Sequence, residues 1–174
     1  NGTKLFVINA NIAGKLVVAA NTAPGQTSLF LVDTGTPGIT IHKLPTINLD
    51  NTCEVTFNQV SVPAEALIGE AGCAEKVLRK VNAMAAVAKA AEMLGGCKAC
   101  IDMTVEYAKQ RVQYGKPIGG FQVIQHYVSN MVIDYETNHN YLLQVISKVD
   151  NGEDFETDAY ALKANTNEAY KFIS

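Results

Sequence analysis

The sequence predicts an α+β chain in which an antiparallel β-sheet or barrel piece comes first and long antiparallel helices follow. Three observations carry the prediction. Five short β-rich runs, separated by turn residues and with no helical stretch among them, occupy residues 1–70. After Gly69 the composition changes to a proline-free stretch rich in Ala, Lys, Glu, Met and Leu. Short links then join that stretch to two further helical segments, which implies antiparallel neighbours in a bundle.

The runs are Lys4–Asn9, Lys15–Asn21, Ser28–Asp33, Gly38–Leu44 and Cys53–Pro63. In the last, Val55, Phe57, Val60 and Val62 nearly alternate, with a break at Asn58 and Gln59. The residues 21–25 (NTAPG) and 33–38 (DTGTPG) supply turn chemistry between runs. A first helix is expected over Ala74–Gln110, with Val77, Val81, Met84, Ala88, Ala91 and Gly95 at three- and four-residue steps. At about 1.5 Å per residue it would approach 50 Å, and its small residues suggest close packing. Gly115 suits a left-handed cap for it, and Pro117 cannot continue it. A second helix is expected from Phe121 to Val149, with Val123, Tyr127, Met131, Ile133, Tyr141, Val145 and Val149 apolar. A turn at Asn151-Gly152 precedes a third helix starting near Thr157.

Of the 174 residues 48% are apolar and 18% charged, which is a globular composition with enough apolar residues for a core. A net charge of −3 without any Lys/Arg cluster argues against a nucleic-acid partner. No apolar run reaches the roughly 20 residues of a membrane span, and no targeting pattern opens the chain. The expected setting is the cytoplasm, or the mitochondrial matrix in a eukaryote. There is no initiator Met, Asn1-Gly2 reads as a turn, and the chain stops inside the apolar-periodic Ala169–Ser174, so both ends are expected to be cuts through structure. Cys97 and Cys100 have the spacing of a metal or redox half-site, but no second pair or nearby His completes four ligands. They read as small helix residues, and no metal site is expected. His42, His126 and His139 are scattered and form no constellation.

Four motifs in order carry a family resemblance. Lys109–His126 (KQRVQYGKPIGGFQVIQH) is similar to the R-x-x-F-G-x-x-I-x-x-x-Q signature of acyl-CoA dehydrogenases, with Tyr114 where Phe is usual. Asn1–Ala10 (NGTKLFVINA) resembles the family's N-G-x-K-x-[FW]-I-T-N segment. Ser28–Ile41 (SLFLVDTGTPGITI) resembles its F-L-V-x-x-x-x-P-G strand pair. Val55–Gly72 (VTFNQVSVPAEALIGEAG) resembles its strand-to-helix link. The resemblance implies that residues 1–70 are the C-terminal part of a middle β domain. Residues 71–174 would be the N-terminal part of a helical domain, making an incomplete four-helix bundle.

The same resemblance implies FAD as cofactor, an acyl-CoA substrate and electron-transfer flavoprotein as partner. It also implies a homo-oligomer, tetramer or dimer, or a heteromer. Arg111 could simply complement the macrodipole of the helix it ends, worth about 0.3–1 kcal/mol. The matching family Arg contacts the FAD diphosphate, which suits a guanidinium fork that bonds two oxygens at once. Gln122 matches a Gln that assists the same cofactor, and Gln113 and Tyr114 fall where the nucleotide is lined. Tyr114 could equally pack on the bundle. Phe6 matches an aromatic that packs on the flavin ring. Ile8 stands where a Thr is common, so a backbone donor survives and the hydroxyl does not. The bland reading of Phe6 and Ile8 is two strand residues facing a core.

Some members place a catalytic base on the long helix shortly before the Leu-Gly that here is Leu94-Gly95. This chain has Met84, Ala85 and Ala86 there, and Glu92 comes two turns too late. The base, a carboxylate that removes the substrate α-proton, is therefore expected beyond residue 174 and cannot be named. The alternative is a non-catalytic partner subunit of a heteromer, lending Arg111 and Gln122 to the cofactor of a paralogous chain.

Overall fold

β-Branched and aromatic residues spaced by polar ones favour pleated pairing, and here every ladder between strands is antiparallel, with one isolated parallel bridge between Thr27 and Cys73. The computed structural model describes residues 1–174, which form two compact units, Asn1–Leu78 and Arg79–Ser174. The first contains β1 (Gly2–Ile8), β2 (Lys15–Ala23), β3 (Gln26–Asp33), β4 (Ile39–Lys43), β5 (Thr52–Phe57) and β6 (Leu67–Ile68). Two three-stranded sheets result, ordered β1-β5-β4 and β2-β3-β6, and neither closes into a barrel.

The β2–β3 ladder runs from Lys15 opposite Asp33 to Ala23 opposite Gln26. Pro24-Gly25 turns it, with Pro supplying the first central φ and Gly25 taking the left-handed second one (φ 71°). Ala10, Leu16, Cys53 and Val55 form a core to which both sheets contribute, flanked by Val18, Ile41 and Phe57. The buried Ser28 hydroxyl accepts the Gly72 N–H (2.8 Å), so this polar group inside the unit is satisfied.

The helices are α1 (Ala74–Gln110), α2 (Gln122–Asp150) and α3 (Glu156–Ile173). Between α1 and α2 lies a small hairpin, β7 (Val112–Gln113) with β8 (Lys116–Pro117). α2 ends in a Schellman pattern: Glu153 N–H reaches the Lys148 carbonyl (2.9 Å) and Gly152 N–H the Val149 carbonyl (3.1 Å). Gly152 takes the left-handed position this requires (φ 71°). Asp154 then accepts the Glu156 N–H and opens α3.

Two clusters set the helix directions in the second unit. Ala83, Ala90 and Leu94 of α1 pack with Leu142 and Val145 of α2 and Ala159 and Leu162 of α3. Further along, Cys97 and Ile101 meet Met131, Ala169 and Ile173. Residue numbers fall along α2 while they rise along α1 and α3, so α2 runs antiparallel to both. No helix is long and apolar enough to cross a membrane.

Four expectations need correction. The strand expected over Cys53–Pro63 stops at Phe57, because Gln59 is left-handed (φ 50°) and breaks the ladder. The stripe Val77, Val81, Met84, Ala88, Ala91 and Gly95 faces outward in this chain, and the inward stripe is Ala83, Ala90, Leu94, Cys97, Ile101 and Ala108. Val123, Tyr127 and Ile133 of α2 are likewise exposed rather than core. α1 is apolar on both faces, so periodicity alone does not select the packed one. Finally, Gly115 is left-handed (φ 78°) as expected but caps no helix; it completes the β7–β8 turn.

Candidate functional site

Four of the predicted site residues lie on one short segment. Arg111 follows α1 directly, and its N–H continues the last turn by donating to the Tyr107 carbonyl (2.9 Å). The chain then reverses in a two-residue turn, with Val112 opposite Pro117 and Gln113 opposite Lys116. Both central residues are left-handed, Tyr114 at φ 51° and Gly115 at φ 78°, which is the type I′ geometry favoured by the twist of hairpin strands. Ile118 N–H closes the loop onto the Arg111 carbonyl (2.8 Å). Gln122, the first residue of α2, follows four residues later.

Arg111, Gln113, Tyr114 and Gln122 are all exposed. The Arg111 guanidinium makes no hydrogen bond or ion pair within the chain, although five N–H donors are available. Tyr114 is 93% exposed, and its ring stands perpendicular to that of Phe121 with centroids 6.2 Å apart. It does not pack on the bundle core. Gly119 sits so close to α1 that a Cβ there would lie 3.1 Å from the Ala108 carbonyl oxygen. Beside the hairpin, a groove of about 300 Å³ is lined by Val105, Ala108, Lys109, Ile124, Gln125 and Ser129 among others.

Phe6 and Ile8 belong to the other unit. β1 slips by one residue against β5 between Lys4 and Val7, and Phe6 in that bulge is left-handed (φ 58°). The ring is 71% exposed and Ile8 68%, so neither faces the core of its unit. An aromatic residue at positive φ is uncommon and concentrates at functional positions. The sequence carries no signal for it, because the bulge arises from pairing with β5.

No carboxylate stands at Met84–Ala86, and Glu92 is exposed and bonded to Lys89 (2.6 Å) on its own helix. Burial and the neighbouring Cys100 raise the pKa of the Cys97 thiol, which makes it a packing residue rather than a nucleophile. His42 and His126 are exposed, and His139 stacks on Tyr135 with centroids 5.5 Å apart. No group of three or more His, Cys, Asp or Glu is arranged to hold a metal.

Residues 68–174 match the family model of the acyl-CoA dehydrogenase C-terminal domain. Over 170 residues the chain is 34% identical to the short-chain-specific acyl-CoA dehydrogenase of Megasphaera elsdenii, covering 94% of this chain and 44% of that protein. The solved butyryl-CoA dehydrogenase of Megasphaera elsdenii superposes with a TM-score of 0.89 at 32% identity, over 97% of this chain and 46% of that one. PigA, solved with FAD and proline, superposes with a TM-score of 0.93 at 31% identity, over 99% of this chain and 47% of its own. The chain therefore spans less than half the length of these relatives. It belongs to the acyl-CoA dehydrogenase family.

Proposed function

We propose that the protein carrying this chain is an FAD-dependent acyl-CoA dehydrogenase. It would desaturate an acyl-CoA thioester between Cα and Cβ and pass the electrons to an electron-transfer flavoprotein. The observation that carries the reading is the exposed, partnerless guanidinium of Arg111 at the base of a hairpin whose backbone closes onto Ile118, four residues before Gln122 and its amide. A planar fork with no acceptor of its own fits a diphosphate, which offers paired oxygens. Gln113 and Tyr114 extend the same exposed surface, and Phe6 and Ile8 offer exposed apolar side chains suited to a flavin ring.

FAD, when bound, supplies the acceptor for a hydride leaving Cβ. The roles of this chain are binding and orientation. Arg111 and Gln122 would hold the phosphates, the rings of Phe6 and Tyr114 would shield the bound group from water, and Ile8 offers no side-chain hydroxyl. Met84, Ala85 and Ala86 offer no carboxylate to take the α-proton, and the reading assigns that base to no residue of this chain. The small outward residues of α1 set no acyl chain length. Association as a homo-oligomer, dimer or tetramer, or as a heteromer fits the many apolar side chains left exposed. The proposed setting is the cytoplasm, or the matrix in a eukaryote.

The test is the flavin spectrum of the intact purified protein with a panel of acyl-CoAs. Anaerobic bleaching of the flavin by one of them is expected. Bound flavin that no acyl-CoA bleaches would favour the second reading, a non-catalytic subunit, which the missing carboxylate on α1 and the apolar Ile8 motivate. A protein without flavin, and with no affinity for it, would end both.

A further inference from the structure

The segment between Arg111 and Gln122 contains Gly115, Gly119 and Gly120, and glycine-rich backbone does not hold two distant side chains in register unaided. The carbonyls of the connection are nevertheless taken one by one. Phe121 N–H bonds the Ile118 carbonyl (3.0 Å), Gln125 Nε2 the Gly119 carbonyl (3.0 Å) and Lys116 Nζ the Gly120 carbonyl (3.1 Å). The Lys116 ammonium also lies 4.3 Å from the centroid of the Phe121 ring, which is perpendicular to the Tyr114 ring with centroids 6.2 Å apart. Lys116 thus reaches from the second hairpin strand across Gly120 and ties strand, linker and helix start together. The chain Lys116, Phe121, Tyr114 spans the turn that separates the two proposed phosphate ligands.

We propose that Lys116 is a positioning residue for the cofactor grip, acting through Phe121: it clamps the hairpin to the start of α2 and so fixes the separation of Arg111 and Gln122. The inference rests on the cofactor reading above and deepens it. The clamp is electrostatic and aromatic together, since one ammonium satisfies a carbonyl and a ring face at the same time. It requires a cation at 116 and a ring at 121, and it gives Lys116 no contact with the nucleotide.

FAD titration of the apo form of the intact protein, followed by flavin fluorescence, distinguishes the possibilities. Lys116→Met and Phe121→Leu are each expected to weaken FAD binding about two- to fivefold, the range of an exposed cation–π contact. The double variant should be no weaker than the worse single, because both remove one coupled interaction. Lys116→Arg should restore the affinity, at an unchanged thermal midpoint. If Phe121→Leu binds normally while Lys116→Met loses affinity in a salt-dependent way, Lys116 touches phosphate directly and the positioning role is wrong. Additive losses, or none, would also overturn it. Arg111→Ala in the same titration separates the two levels. A loss there with Lys116→Met unaffected removes only the clamp, whereas normal binding by Arg111→Ala removes the cofactor reading and the clamp with it.

Discussion

Two aromatic rings stand in solvent on left-handed backbone, Phe6 in the sheet unit and Tyr114 in the helical unit, and they are held by different means. Phe6 lies in a one-residue bulge, where the ladder with β5 on either side forces the extra residue out. Tyr114 is the first central residue of a tight turn that demands positive φ, shares it with Gly115 and leans on Phe121. Left-handed backbone costs a non-glycine residue roughly 1–2 kcal/mol. In one unit the strand register sustains that cost, and in the other the turn and an aromatic neighbour do. Strain sustained at two exposed aromatics, both at positions the family resemblance assigns to the cofactor, supports the proposed site.

The strongest way to break the comparison is to remove support from beneath one side. Leu162 has no solvent exposure and fills the centre of the helical core with Ala90 and Ala159. Leu162→Ala should cost about 2–5 kcal/mol of stability, read by urea unfolding. A loss below about 1 kcal/mol would mean that the α1–α2–α3 packing collapses around the gap. Next in size is the ligand pair. Arg111→Ala should weaken FAD binding by about tenfold or more, from a lost charge-assisted contact of about 1.5–3 kcal/mol. Gln122→Ala should lose a neutral contact of about 0.5–1.5 kcal/mol. Equal losses for the two would argue that charge is not what the site uses.

Glycine substitutions sharpen the comparison itself. Phe6→Gly removes the left-handed penalty at the expense of chain entropy, for a net gain of about 0.5–1 kcal/mol. Tyr114→Gly gains the same but loses the edge contact with Phe121, about 0.5–1.5 kcal/mol, so its stability should be nearly unchanged. Thermal midpoints of the two variants test the difference. Should Tyr114→Gly gain as much as Phe6→Gly, the ring contact contributes nothing.

The smallest expected effect is at the α2–α3 junction. The hydrogen bond from Lys148 (2.6 Å) holds the Asp158 carboxyl below its usual range against a partial desolvation, and Tyr141 adds a second bond (3.1 Å). The same carboxylate raises the Lys148 ammonium. A depressed acid contributes stability above its unfolded pKa, near the ordinary carboxylate value, and loses it as pH falls through the lower folded value. A raised ammonium loses its contribution only as pH climbs through its folded value. The pair therefore contributes fully across neutral pH and fades at both extremes. Asp158→Asn should flatten the acid limb of the stability–pH curve, and an unchanged limb would remove the pair from the account.

Legibility differed by element. α1 spans Ala74–Gln110 as read from the sequence, since the stretch between the glycine-rich link and the hairpin has no proline and is rich in helix formers, enough to carry Gly95-Gly96 in its interior. The Asn151-Gly152 turn was equally plain, because left-handed glycine after a helix has a composition signature. β6 was not legible: Leu67–Ile68 is two residues long, and it is a strand only because β3 offers Leu29 and Phe30. The four proposed site residues around the hairpin are legible only through resemblance to one family motif, and the hairpin itself is not legible at all. Tyr-Gly is a weak turn signal beside Asn-Gly.

The sequence by itself determined the order of β before α, the helix extents and the family motifs, because those depend on residues close together in the chain. The tertiary structure decided which face of α1 is inside, since Val77, Val81 and Met84 are as apolar as Ala83, Ala90 and Leu94 and only the helices packed against them choose. It also decided that Phe6 is strained and outward, since a bulge exists only between two strands: the extra residue is defined by the partner it fails to pair with.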